Sequence, residues 1–273
     1  MDLWELRAFG ALYRHLAEAG LGYRVINNPA QMLNRRALLR ALYTEGINDF
    51  NAYALTEKRL PERYPVFLRR EYDHNRPLSD LLRNESELQA ALAELREQGE
   101  PEDGVLIVEY AAEPVEGNLF RKLSAYKVGD QVFFYNTVHE ESWIVKNGTL
   151  NSATNALYQE ELDMITHNAF ASEVLKAFNI AHIDYGRVDF GLVNGKVQIY
   201  EINTNPNTKA PKKEHPNPYR TKSQQLAWEK YCAAINKLDT TDPKAPYAKK
   251  FKGSGLIRNI TKCILYGGNT YVR

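Results

Sequence analysis

The stretch from Gly186 to Asn207, GRVDFGLVNGKVQIYEINTNPN, constrains this chain more than any other. Two strand-like runs flank Asn194-Gly195, a dipeptide typical of tight β-hairpins. The first strand carries Arg187 and Asp189, the second Glu201 and Asn203. Side chains alternate across a strand, so residues two apart share a face and a one-residue slip reverses every side chain. With a two-residue turn, Val193 pairs with Lys196, and Asp189 and Glu201 fall on opposite faces. A shared polar cluster therefore requires an odd-length loop or a bulge. The expected arrangement is a three-residue loop, Val193-Asn194-Gly195, with Gly195 left-handed. It pairs Leu192 with Lys196, Asp189 with Ile199 and Arg187 with Glu201; an equivalent bulge between 189 and 201 would serve as well.

A face built this way gathers three oxygen-bearing side chains and an arginine. Asp189, Glu201 and Asn203 suit Mg²⁺, which is usually held by one or two carboxylates together with substrate phosphates. Arg187 would steady negative charge on a transferred phosphoryl group. Two plain alternatives stand beside this: an Arg187–Glu201 cross-strand ion pair and an ordinary turn at Asn205-Pro206. Burying so many polar groups without a ligand is costly, which favours a site.

The rest of the chain mixes helices and strands without βαβ regularity, so the predicted class is α+β. Leu3, Leu6, Phe9, Leu12 and Leu16 recur at helical spacing within residues 1–24. Asn28, Pro29 and Gly46 frame a helix at about 29–45. Pro65–Leu68 reads as a strand, Ser86 with Gln89 as a capping box opening a helix stopped by Gly99, and Gly104–Tyr110 as a buried strand. Residues 121–136 read as a hairpin turning at Gly129-Asp130, and 157–179 as one long helix. Prolines after 206, a helical segment and a basic tail complete the chain.

The Arg187-Val188-Asp189 and Glu201-Ile202-Asn203-Thr204-Asn205-Pro206 runs resemble the metal-binding core of the ATP-grasp superfamily, in particular D-alanine–D-alanine ligases and glutathione synthetase-like carboxylate–amine ligases. The resemblance covers roughly residues 25–210. It implies two α+β lobes whose antiparallel sheets grip ATP. Asp189, Glu201 and Asn203 would ligate two Mg²⁺ ions, and Arg187 would contact the transferred phosphate. Arg121, Lys122 and Lys146 would face phosphate from strands, with Trp143 preceding Lys146. Val105–Tyr110 would form the hinge between lobes, with Tyr110 and Ala112 offering backbone groups to adenine and the Glu109/Glu116 spacing suiting the ribose. Arg35 or Arg36, and Arg69, stand where the family usually places phosphate-binding lysines. His74 and Asn205 are candidate substrate contacts. The implied division is an N-terminal helical remnant at 1–28, a small lobe with hinge at 29–110, a large lobe with the metal site at 111–240, and a basic tail at 241–273. The segment before the first ATP-grasp-like helix is shorter than in family ligases, which leaves the acceptor site undefined.

By this resemblance the expected activity is an ATP-dependent, ADP-forming carboxylate–amine or carboxylate–thiol ligase working through an acyl phosphate. A small-molecule kinase on the same scaffold and a non-catalytic nucleotide-binding or assembly module are the alternatives. No Ser/His/Asp or Cys/His arrangement is apparent, and an acyl-phosphate route needs no protein nucleophile. Hydrophobic residues at 44% and charged residues at 25% match an ordinary globular protein. A formal net charge of +1 gives no field to draw nucleic acid or membrane. Two cysteines, Cys232 and Cys263, lack metal spacing. With Asp2 and Glu5 where a signal peptide would be basic, a cytoplasmic enzyme acting on a small-molecule or peptide carboxylate is expected. The apolar stripe of the first helix suggests a homo-oligomer.

Overall fold

The computed structural model describes residues 3–18, 25–73, 75–211 and 214–238. His74, Lys212, Lys213, Cys263 and the tail at 241–273 lie outside the described residues, as do 1–2 and 19–24 of the first helical segment. The described elements are α1 (Leu3–Glu18), α2 (Arg35–Thr44), β1 (Ala52–Ala54), β2 (Val66–Arg70), α3 (Glu85–Glu97), β3 (Val105–Glu109), β4 (Pro114–Glu116), β5 (Leu119–Val128), β6 (Gln131–Glu140), α4 (Asn155–His167), α5 (Ala171–Ala181), β7 (Tyr185–Val193), β8 (Lys196–Asn203) and α6 (Pro218–Leu238).

Two antiparallel sheets organise these elements, as the α+β expectation required. The smaller has the order β1-β3-β2. The larger has the order β4-β5-β7-β8, with β6 paired along β5. α3 covers the small sheet, inserting Leu88, Leu92 and Leu95 against Tyr53, Leu68 and Ile107. One face of the large sheet buries Leu123, Ala125, Val188, Phe190 and Ile199 beneath Ile165 of α4 and Val174 and Phe178 of α5. α2 serves both cores: Leu38 and Leu42 join the large-sheet cluster, while Leu39 packs with Ala52, Leu106 and Val108 of the small sheet. That shared helix ties the two sheets together through apolar burial, which is non-directional and scales with area. Among the described residues no helix is long and apolar enough to cross a membrane.

Several boundaries differ from those read in the sequence. α2 begins at Arg35, capped by the Asn34 side chain accepting from the Ala37 N–H, whereas Asn28 caps a separate short turn through the Ala30 N–H. α3 is capped by Asn84 with Glu87, two residues ahead of the expected Ser86–Gln89 pair. The helix expected at 157–179 is two helices, because Asn168 and Phe170 adopt left-handed backbone. Asn168 takes that conformation readily and uses its side chain on the neighbouring strand, accepting from Phe134 N–H and donating to the Val132 carbonyl. Residues 141–150 form a loop, so Trp143 and Lys146 are not on a strand.

Candidate active site

The hairpin at 194–195 resolves the parity question by a bulge. Asn194 and Gly195 have φ of 51° and 75°, so the turn is the tight two-residue kind and Val193 pairs with Lys196. The expected three-residue loop and its pairings are not formed. Tyr200 is instead the extra residue of a β-bulge, with Phe190 opposite Ile199 and Asp189 opposite Glu201. The slip brings Arg187, Asp189, Glu201 and Asn203 to one face while Val188, Phe190, Ile199 and Ile202 turn to the core. Gly191, lacking a side chain, leaves room for the hydroxyl end of Tyr200, and the Tyr200 hydroxyl donates to the Ala111 carbonyl at 2.9 Å.

This polar face floors a cavity of about 320 Å³ between the two sheets. Its walls are largely apolar, including Leu39, Phe67, Val108, Trp143, Ile144 and Tyr200. The segment Tyr110–Ala112 runs along one side, with the Tyr110 N–H spent on the Pro65 carbonyl at 2.9 Å. Trp143 packs on Phe67 and edge-on against Tyr110, with ring centroids 5.0 and 5.8 Å apart, so the 141–150 loop is held over the small sheet. That loop winds around Glu140, whose carboxylate accepts from the Lys146, Asn147 and Gly148 amides at 3.1, 2.7 and 2.7 Å. Burial opposes its charge, but these amides hold the Glu140 carboxyl below the usual range.

The floor is dense in ion pairs. Asp189, almost fully buried, accepts from Arg187 Nε at 2.8 Å and Nη2 at 3.2 Å, and its Oδ2 lies 3.2 Å from Lys122 Nζ. Burial disfavours the Arg187 charge, yet the adjacent Asp189 carboxylate outweighs it and raises the guanidinium above its ordinary value. Glu201 accepts from Arg35 and lies 3.9 Å from Arg69. Burial and the nearby Arg35 pull Arg69 down to about 10, which leaves it protonated at neutral pH. Arg35 Nη1 also donates to the carbonyls of Arg70, Glu71 and Asp73 at 3.0, 3.0 and 2.9 Å. The Nε groups of Arg35 and Arg69 are buried without a hydrogen-bond partner. Asn203 Oδ1 accepts from the Asn205 N–H at 2.9 Å, which shapes the turn after β8.

The structure places the sequence-derived candidates unevenly. Arg69, Glu109, Tyr110, Ala112, Arg121, Lys146, Arg187, Asp189, Glu201 and Asn203 all border the cavity. Glu109 does so by its backbone alone, because its buried carboxylate is occupied by the Asn51, Glu62 and Arg63 amides, at 2.9 to 3.1 Å, and the Tyr53 hydroxyl. Arg121 sits beside Lys122 on β5, so its side chain leaves by the other face and pairs with Glu160 at 2.7 Å. Arg35, Arg36, Glu116 and Asn205 do not line the cavity. Arg35 acts on it through Glu201, while Arg36 pairs with Glu57 and Glu71. Lys122 and Arg76 reach the cavity as well. Lys122, named from the sequence among the cations expected to face phosphate, is carried to the cavity by strand alternation, since it shares the face of Ser124, which pairs with Asp189. Arg76 lies in a loop with no periodicity to announce it.

Neither a protein-family model nor a curated protein matches this chain. Among solved structures the chain is similar to the D-alanine–D-alanine ligase from Coxiella burnetii, at 17% identity over 84% of this chain and 66% of that chain, with a TM-score of 0.45. It is also similar to the D-alanine–D-alanine ligase from Bacillus anthracis complexed with ATP, at 15% identity over 84% and 75% of the two chains and a TM-score of 0.44. A third is the L-amino acid ligase from Bacillus licheniformis, at 11% identity over 81% and 54%, with a TM-score of 0.42.

Proposed function

We propose that this chain is an ATP-dependent ligase that activates a carboxylate as its acyl phosphate and passes it to an amine or thiol. One observation carries the proposal: Asp189, Glu201 and Asn203 share a cavity floor with Arg69, Lys122 and Arg187, directly beneath an apolar chamber bordered by Tyr110–Ala112. An apolar chamber suits a purine, and a cationic floor suits phosphates. The donor set fits Mg²⁺, since two carboxylates and an amide oxygen leave the remaining positions for phosphate and water. The buried, unpartnered Nε of Arg69 points to the same anionic ligand.

Bound Mg-ATP would supply the phosphoryl group that converts the substrate carboxylate into an acyl phosphate, so that phosphate is the group that leaves when an amine or thiol attacks the acyl carbon. The residues then have separable tasks. The Tyr110 carbonyl and Ala112 N–H would bind the base, because the Tyr110 N–H and Ala111 carbonyl are already engaged. Phe67, Trp143 and Ile144 would exclude water, which strengthens every charge interaction in the chamber. Arg69 and Arg187 would hold phosphate oxygens in position and stabilise developing charge. Arg35 would position Glu201 by clamping it to the end of β2. No side chain has to become a nucleophile.

Calorimetry with ATP, with and without Mg²⁺, tests the binding half. Heat release with ATP that grows tighter when Mg²⁺ is present is expected, and no binding at millimolar nucleotide would defeat the proposal. Mass spectrometry of metabolite pools incubated with ATP tests the chemistry. ADP, phosphate and a new amide or thioester are expected; a phosphorylated product would show a kinase instead.

A further inference from the structure

The two carboxylates that would take a metal already have cations of their own. Lys122 Nζ lies 3.2 Å from Asp189 Oδ2, and Arg187 forks onto the same carboxylate at 2.8 and 3.2 Å. Arg35 and Arg69 approach Glu201 from the small-sheet side. Four cations thus stand within ion-pair distance of two carboxylates. The floor carries an excess of positive charge before any ligand arrives. Such attractions are screened less in a partly buried cleft than in water, so each contact holds its carboxylate against a competing cation. A free divalent cation would have to displace Lys122 or Arg187 from Asp189 and enter against that excess. A nucleotide triphosphate, with several negative charges, reverses it.

Of the four, Lys122 differs in kind. An arginine forks and holds, whereas a lysine is a point charge on a flexible stem and can be moved from one oxygen to another. Its ammonium is also 3.4 Å from the Lys146 carbonyl, so it links Asp189 to the loop over the cavity. It projects from β5 into the cavity, within ion-pair distance of the Asp189 carboxylate that a metal would need.

We infer that Lys122 is a resident counter-cation of Asp189, which makes divalent-metal binding conditional on nucleotide: when phosphate arrives, the ammonium transfers from the carboxylate to a phosphate oxygen and frees Asp189 for metal. This rests on the nucleotide-site reading above. It assigns an order, nucleotide before or with metal and never metal alone, and gives Lys122 the role of imposing it.

Manganese, which favours the same oxygen ligands and is read directly by electron paramagnetic resonance, tests the order without turnover. The wild-type protein is expected to bind no Mn²⁺ alone at about 1 mM, a threshold equal to roughly 4 kcal/mol of binding free energy, and to bind it once a non-hydrolysable ATP analogue is present. Lys122→Met is expected to bind Mn²⁺ without nucleotide at least about tenfold more tightly than wild type. Lys122→Arg, which keeps the charge but forks and holds, is expected like wild type to bind no Mn²⁺ alone and to bind it more weakly than wild type with the analogue; a thermal melt of each variant controls for folding. Equal nucleotide-free Mn²⁺ binding by wild type and Lys122→Met, or none by either while both bind it with nucleotide, would overturn the inference and leave the nucleotide site standing. Failure of every form to bind nucleotide or Mn²⁺ in any combination would instead remove the reading on which it rests.

Discussion

At the scale of single residues, the site is a set of charges that hold one another in place. Asp189→Asn keeps shape and removes the carboxylate charge the metal would need. Turnover is expected to fall by about 10²-fold or more, while metal-free nucleotide binding survives, because the floor becomes more positive. Calorimetry with and without Mg²⁺, beside a kinetic assay, separates the two effects. Arg35 is a different case, since its two Nη groups are engaged by three carbonyls and Glu201. A lysine cannot reach four acceptors in that fork. Arg35→Lys is expected to cost about 2 kcal/mol in denaturant unfolding, and Arg35→Met, which leaves Glu201 short of its closest partner, about 3 kcal/mol or more.

At the scale of elements, the β7–β8 hairpin decides whether there is a site at all. Its bulge at Tyr200 puts Glu201 opposite Asp189, and the space for the Tyr200 ring is the missing side chain of Gly191. A Cβ there would come within 2.1 Å of the Tyr200 hydroxyl and 2.8 Å of the ring carbon bearing it. Gly191→Ala is therefore expected to cost about 1–3 kcal/mol and to break the bond to the Ala111 carbonyl. In a Tyr200→Leu background the same substitution should cost much less. Additive losses in that double-mutant cycle would show that the ring is not the obstacle. Alternation along β7 and β8 was legible from the sequence, and so was the need for an extra residue. Its location was not, because Asn194-Gly195 suits a tight turn and the bulge is stabilised by Gly191 and Ala111, which are remote or unremarkable in sequence. The split between α4 and α5 was hidden for a similar reason, since the Asn168 side chain is satisfied only by strand β6.

At the scale of the whole molecule, the side of the large sheet away from the site holds a buried ionisable cluster of His139, Glu161 and Arg220, whose titration is expected to contribute to acid stability. His139 is buried, and desolvation, followed by the charges of Arg121 and Arg220, pushes its pKa down to about 4. An unfolded histidine titrates near 6.5, so the unfolded chain takes up the proton first as pH falls. The stabilisation is therefore complete above about pH 6.5 and is lost progressively towards pH 4, by roughly 3 kcal/mol for this group. Burial raises the pKa of the neighbouring Glu161 against the attraction of Arg220, a shift of opposite sense, so a substitution at His139 is needed to isolate the histidine. His139→Gln is expected to flatten the decline between about pH 6.5 and pH 4 in denaturant titrations. By itself the sequence determined the α+β class, the polar run at 186–207 and the strand at 105–109, because residue type, turn chemistry and alternation are local and every strand repeats the same two-residue rule. Only the tertiary structure decided which charges meet. Arg35 and Glu201 are far apart in the chain, and neither pattern nor spacing states that a helix residue will close on a strand residue across two sheets. That pairing is selected by burial, where an unpaired charge is too costly to keep and the nearest opposite charge becomes its partner.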